Sequence, residues 1–100
     1  MDSKYEVIFS ENVERQIDDI YDYIATNLSN ITAARKLMRK IRDNVKYLKT
    51  SPYIFPVSRI IDCRQCVIDN YILFFEIDES EHKVKVLHIY HGSQDYENYL

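Results

Sequence analysis

Residues 64–96 read RQCVIDNYILFFEIDESEHKVKVLHIYHGSQDY, and this stretch decides the fold that the sequence predicts. Positions 71, 73, 75 and 77 are all apolar or aromatic and fall on one side of an extended chain, as a strand with a buried face requires. The Asp69–Asn70 pair stands between apolar residues, and both residue types tolerate the positive φ of a two-residue hairpin turn. A second short polar segment, residues 79–82, precedes a stretch from 83 to 91 rich in Val, Leu and Ile. The pattern predicts a three-stranded antiparallel meander.

Upstream of the meander, the sequence predicts one strand and two helices. Lys4–Phe9 alternates weakly and ends at Ser10, a residue suited to cap a helix N-terminus. Apolar residues then recur at steps of three and four, with a break at Ser29–Asn30, a pair that can cap a second helix. The first stripe comprises Val13, Ile17, Ile20, Tyr21, Ile24 and Leu28, and the second comprises Ala34, Leu37, Met38, Ile41, Val45 and Leu48. We expect an antiparallel helical hairpin, ended by Pro52, that covers one face of the sheet and leaves the other face for function.

Length and composition favour a single globular domain. The chain has 100 residues, of which 46% are hydrophobic, with one Gly and two Pro. It contains no apolar run near the ~18 residues of a membrane-spanning helix, and the first residues lack the pattern of a secretory signal. We therefore expect a soluble, cytoplasmic protein.

Charge is distributed unevenly along the chain. The net charge is -3, but residues 32–64 hold nine Lys and Arg against two Asp, a local balance of +7. Most of these cations lie on the second predicted helix, whereas the first carries an acidic outer face. The two faces can pair with each other, or the basic one can contact phosphate or an acidic partner.

Cys63 and Cys66 stand three residues apart in a predicted strand. Residues at that spacing point to opposite faces, so a disulfide or a shared metal would need a bulge or a turn. A zinc site could be assembled from Cys63, Cys66, His88 and His91, but the ligand spacing of a zinc finger is absent. Reduced, structural cysteines are the better interpretation, and we expect neither a metal nor a cofactor.

Several short motifs, in order, resemble the RelE/ParE superfamily of small bacterial toxins. They are Phe9–Ser10, DIYDYI at 19–24, Ala33–Ala34, LKTSP at 48–52, NYILFFEID at 70–78 and HIYHGSQDY at 88–96. The resemblance spans nearly the whole chain and implies a single α+β toxin domain over residues 1–100. Its four-stranded, mainly antiparallel sheet would be covered on one face by an N-terminal helical hairpin. The element order would be β-α-α-β-β-β, with a short C-terminal helix from about Asp95.

The resemblance also implies a function in a type II toxin–antitoxin system, with a cognate antitoxin as partner. RelE-like members cut mRNA on the ribosome as metal-independent endoribonucleases. ParE-like members inhibit DNA gyrase and have no nuclease activity. A third possibility is a degenerate toxin that only binds its antitoxin.

The candidate catalytic residues are Arg64, Arg59, His91 and Tyr96. Metal-free RNA cleavage needs a proton acceptor, a proton donor and cations that stabilise the charge on phosphorus. Arg64 matches a position where the superfamily commonly has arginine, and Arg59 is a second cation. His91 and Tyr96 fall in the region that supplies acid–base or stacking groups, and His88 and Tyr90 lie nearby. The chain departs from the family at Ser93–Gln94, where one or two arginines are usual, and at Gln65, where many relatives are basic. His91 and Tyr96 favour ribosome-dependent mRNA cleavage, which we take as the first alternative. These departures and the long helical hairpin favour gyrase inhibition, and the departure at Ser93–Gln94 also fits a degenerate toxin.

Overall fold

A computed structural model describes residues 4–92, which form a four-stranded sheet and two helices. The elements are β1 (Glu6–Phe9), α1 (Glu11–Asp22), a π-helical segment (Tyr23–Asn27), α2 (Ile31–Thr50), a 3-10 turn (Pro52–Ile54), β2 (Arg64–Ile68), β3 (Tyr71–Asp78) and β4 (Lys83–His91). This order confirms the predicted β-α-α-β-β-β succession. The expected C-terminal helix lies outside the described residues. Among those residues, the helices are all too short or too polar to cross a membrane.

The sheet has the strand order β1-β4-β3-β2. β2, β3 and β4 form the predicted antiparallel meander, and β1 joins the far edge of β4 in parallel. At the β2–β3 turn, Asp69 adopts a φ of +54°. The carboxylate of Asp69 also accepts hydrogen bonds from Lys40 Nζ, the shorter 2.8 Å long, which ties the turn to α2.

Side-chain caps begin both helices. Ser10 Oγ accepts a hydrogen bond from the Val13 N–H at 3.1 Å, and Asn30 Oδ1 accepts one from the Ala33 N–H at 3.0 Å. The predicted stripes contribute these fully buried side chains: Val13, Ala34, Leu37, Ile41 and Leu48. Leu28 departs from the prediction, since 55% of it is exposed. It follows the π-helical segment, whose wider turn rotates later residues away from the stripe.

A bulge in β4 decides which side chains face the helices. The register passes from Phe75 opposite Val86 to Phe74 opposite His88, so Leu87 has no partner on β3. The bulge places Ile89 and His91 on the helix-covered face together with Val84 and Val86. That face also carries the following core residues: Val7, Phe9, Cys66, Ile68, Leu73 and Phe75. The opposite face carries Gln65, Val67, Ile72, Phe74, Glu76, His88 and Tyr90.

Candidate functional site

Arg64 begins β2 on the same face as Cys66 and Ile68, which is the helix-covered face. Its Nη1 donates a hydrogen bond of 2.7 Å to the carbonyl oxygen of Phe55. The guanidinium carbon lies 4.9 Å from the centre of the Tyr53 ring, within the range of a cation–π contact. Arg64 therefore fastens the loop that follows α2 to the edge of the sheet.

His91 ends β4 at the opposite end of the sheet. Its ring meets Tyr71 edge to face, with centres 5.2 Å apart. Both residues line a cleft of about 340 Å³ between the connection of the two helices and the β2–β3 turn. The other residues that line it are Tyr23, Ile24, Leu28, Asn30, Ala33, Leu37, Asp69 and Asn70. The following Gly92 N–H donates to Asn70 O at 2.6 Å, and a Cβ at Gly92 would lie 3.2 Å from that oxygen. A larger residue would therefore crowd this junction.

The structure does not bring Arg64 and His91 together. Arg64 pairs with Phe75 and His91 pairs with Tyr71, so four residue steps along β3 separate them, roughly 13 Å. Arg64 is on β2 and His91 is on β4, the two strands that flank β3, which adds about 10 Å across the sheet. Arg59 is exposed and forms no hydrogen bond or ion pair within residues 4–92. Tyr96 lies outside the described residues.

The face opposite the helices carries a different pair of proton-transfer groups, His88 and Tyr90. Tyr90 Oη lies 3.4 Å from His88 Nδ1, and the two rings stack with centres 5.5 Å apart. Burial lowers the pKa of His88, so its imidazole is neutral at physiological pH. This face was expected to be open, yet Phe74 is fully buried and Tyr90 is only 7% exposed. The sequence marked His88 and Tyr90 only as neighbours of the predicted site, because the bulge that orients them has no clear sequence signal.

This second face offers little positive charge to a phosphate. Its positions on β2 and β3 are Gln65, Val67, Ile72, Phe74 and Glu76. On β4, Lys83 Nζ lies 3.7 Å from Glu81 and Lys85 Nζ lies 3.4 Å from Asp78, so both cations are paired. Residues 93–100 read SQDYENYL and contain no lysine or arginine. Neither the described strands nor the residues that follow them therefore supply an unpaired cation next to His88.

A cluster of polar aromatic residues at the Arg64 end was not predicted. Tyr5 Oη donates to Glu79 Oε2 at 2.7 Å, and Tyr53 Oη donates to the same oxygen. The bond to Glu79 raises the pKa of Tyr5 to about 12, and the two phenols lower the pKa of Glu79. Tyr5 also stacks on His82, with ring centres 3.9 Å apart. No local pattern in the sequence predicts this cluster, because Tyr5 and Glu79 are 74 residues apart.

The two cysteines occupy structural positions. Both are free thiols, and Cys66 is buried with its Sγ 3.4 Å from Asn44 Oδ1. His88 and Cys66 lie on opposite faces of the sheet, so the four side chains weighed as zinc ligands do not converge. Over residues 4–92, no cluster of three or more His, Cys, Asp or Glu side chains is arranged to hold a metal ion.

Solved structures of bacterial and archaeal toxins share this fold. The chromosomal ParDE toxin–antitoxin system of P. aeruginosa matches with a TM-score of 0.74 and 17% identity over 89% of this chain and 97% of that one. A free E. coli RelE toxin with two arginines changed to alanine matches with a TM-score of 0.67 and 11% identity, covering 96% and 92% of the two chains. The RelBE2 complex of Mycobacterium tuberculosis matches with a TM-score of 0.58 and 18% identity, covering 88% and 98%. At these identities, the likeness shows the fold alone.

The sequence itself identifies the family. No curated protein matches the chain significantly. Residues 7–96, however, match the family model described as "ParE toxin of type II toxin-antitoxin system, parDE". The match covers both helices, the sheet except Glu6 of β1, and the stretch that carries His88 and Tyr90. The chain therefore belongs to the ParE family of toxins of type II toxin–antitoxin systems.

Proposed function

We propose that this toxin arrests growth by binding DNA gyrase in the cytoplasm, and that it does not cleave RNA itself. A cognate antitoxin holds it inactive until the antitoxin is lost. The solved relatives include a ParDE toxin–antitoxin system and a RelBE2 toxin–antitoxin complex, which supports the antitoxin as partner. The match to the ParE family model supports the gyrase target.

The observation that carries the proposal is that the described strands place no unpaired cation beside His88. Cleavage by attack of a ribose 2′-OH adds negative charge to the phosphate, and unpaired Arg or Lys side chains must stabilise it. Lys83 and Lys85 each form an ion pair with a carboxylate. The positions of β2 that lie on the same face as His88 are Gln65 and Val67. Arg64 lies on the helix-covered face, where it donates a hydrogen bond to Phe55 O and contacts the Tyr53 ring. Inhibition of gyrase by binding requires no cation beside His88.

Ribosome-dependent mRNA cleavage is the second candidate, and the His88–Tyr90 pair favours it. A neutral imidazole 3.4 Å from a phenol can accept a proton while the phenol positions it. In that mechanism Arg64, His91 and Tyr96 would have to act from outside this pair.

Induction of the toxin without antitoxin separates the two mechanisms. We expect DNA breaks and an SOS response, and we expect purified toxin to inhibit supercoiling by purified gyrase. His88→Gln should leave both effects intact, because imidazole chemistry is not used. Cuts in mRNA at fixed codon positions that disappear with His88→Gln, together with unaffected gyrase, would establish the nuclease instead. Normal growth with folded toxin would contradict both mechanisms.

A further inference from the structure

Five cations form one line along α2. Arg35, Arg39, Arg42, Lys46 and Lys49 follow one another at steps of four, three, four and three residues, and all are exposed. These steps keep side chains on one flank of a helix. At 1.5 Å per residue, the line extends over roughly 21 Å. We call these five residues the basic stripe.

The protein leaves most of the basic stripe unpaired. Lys40 and Asn44, on the other flank of α2, contact Asp69 and Cys66, so the stripe is turned away from β2. Lys46 has one carboxylate near it, Asp43 Oδ1 at 3.9 Å. Within residues 4–92, no ion pair joins α1 to α2, so of the two possibilities for their charged faces the structure does not show the mutual pairing. The stripe thus remains available to an anionic partner.

An apolar surface adjoins the N-terminal end of the stripe. Tyr23, Leu28 and Ile31 are 53%, 55% and 44% exposed around the connection of the two helices. Ile31 lies four residues before Arg35 and so continues the same flank. Tyr23 and Leu28 also line the 340 Å³ cleft beside His91. A large apolar side chain of a partner can therefore bury itself at this end, as anchors do in protein interfaces.

We propose that the basic stripe and this apolar end form a docking surface for an acidic helical segment of a partner protein. The segment would place carboxylates at helical spacing along the stripe and one or two large apolar side chains against Leu28 and Ile31. Duplex DNA exposes no large apolar group that could bind at the apolar end. The docking surface is independent of the target of the toxin.

A defined peptide tests this docking surface. The probe is a fluorescent alanine-based helical peptide with two leucines at one end and glutamates at steps of four and three. A second peptide of the same composition distributes the glutamates around the helix, and a short DNA duplex is the third probe. Binding to the full chain is measured by fluorescence anisotropy at low and high salt. We expect the patterned peptide to bind several-fold more tightly than the other two probes, and to weaken as salt rises.

Charge reversal on the protein completes the test. Arg39→Glu with Arg42→Glu should weaken the patterned peptide about tenfold or more, because two attractions become repulsions. Arg15→Glu with Lys36→Glu makes the same change of charge at exposed positions outside the stripe and should alter binding less than about twofold. Leu28→Ser should weaken binding without changing its salt dependence. The proposal is overturned if the folded protein does not bind the patterned peptide at millimolar concentration. It is also overturned if the distributed peptide or the duplex binds with the same affinity, or if the two double variants weaken binding equally. The supercoiling assay does not depend on peptide binding. A negative result with the peptides would therefore contradict the docking surface and leave the gyrase proposal to its own test.

Discussion

Arg64→Ala should destabilise the toxin and should impair its activity only through that loss. The substitution removes a 2.7 Å hydrogen bond from a charged donor to Phe55 O and a cation–π contact with Tyr53. Because Arg64 is partly exposed, we take the lower ranges for both contacts, which together amount to about 2 kcal/mol. For a domain of this size, that corresponds to a fall in melting temperature of roughly 8–15 °C.

The assay is thermal unfolding by circular dichroism, combined with growth inhibition well below the melting temperature of the variant. Arg59→Ala is the matched control, since it removes an exposed arginine of the loop that Arg64 fastens to the sheet. It should change the free energy of unfolding by less than about 0.5 kcal/mol. Arg64→Ala should still inhibit growth when expressed at a temperature where it is folded. If its melting temperature equals that of the wild type and growth inhibition is lost, the guanidinium acts on the target, and the structural role assigned here is wrong.

Three further predictions concern the core, a helix cap and the thiols. Leu48→Ala should lower the free energy of unfolding by about 2–5 kcal/mol in urea denaturation, because the side chain is fully buried. Ser10→Ala should cost about 1 kcal/mol in the same measurement, because the Val13 N–H loses its acceptor, whereas Ser10→Gly should cost only a few tenths. Burial raises the pKa of both Cys63 and Cys66 to about 11, so the unfolded chain, with ordinary thiols near 9, loses these protons first as pH rises. The free energy of unfolding should therefore fall between about pH 9 and pH 11, and a variant with both cysteines changed to alanine should show a smaller fall.

Local signals in the sequence were sufficient for the elements themselves. The Asp69–Asn70 turn, the caps at Ser10 and Asn30, and the two apolar stripes each depend on residues within a few positions of one another. They were predicted from spacing and side-chain chemistry, and the structure confirms them except at Leu28, which is exposed. The family resemblance supplied their arrangement as two helices on one sheet.

Contacts between distant residues were not predictable in the same way. The parallel pairing of β1 with β4 joins segments some 77 residues apart, and nothing within either strand specifies its direction. The same holds for the bond between Tyr5 and Glu79 and for the contact of Arg64 with Phe55. Strict alternation from Val84 would have turned His88 and Tyr90 towards the helices, and only the unpaired Leu87 reverses that assignment.

The bulge therefore determines where the titratable side chains of β4 lie. It moves His91 to the helix-covered face, where it lines a cleft with Tyr71, and leaves His88 beside Tyr90 on the face with paired lysines. Among the described residues, the cleft beside His91 thus contains no arginine, and the strands around His88 supply no unpaired cation. The basic charge of the chain is concentrated elsewhere, along α2, where it extends from an exposed apolar end. This separation of charge from titratable groups is what we expect if the toxin acts by binding protein partners, as proposed above, and not by cleaving a phosphodiester.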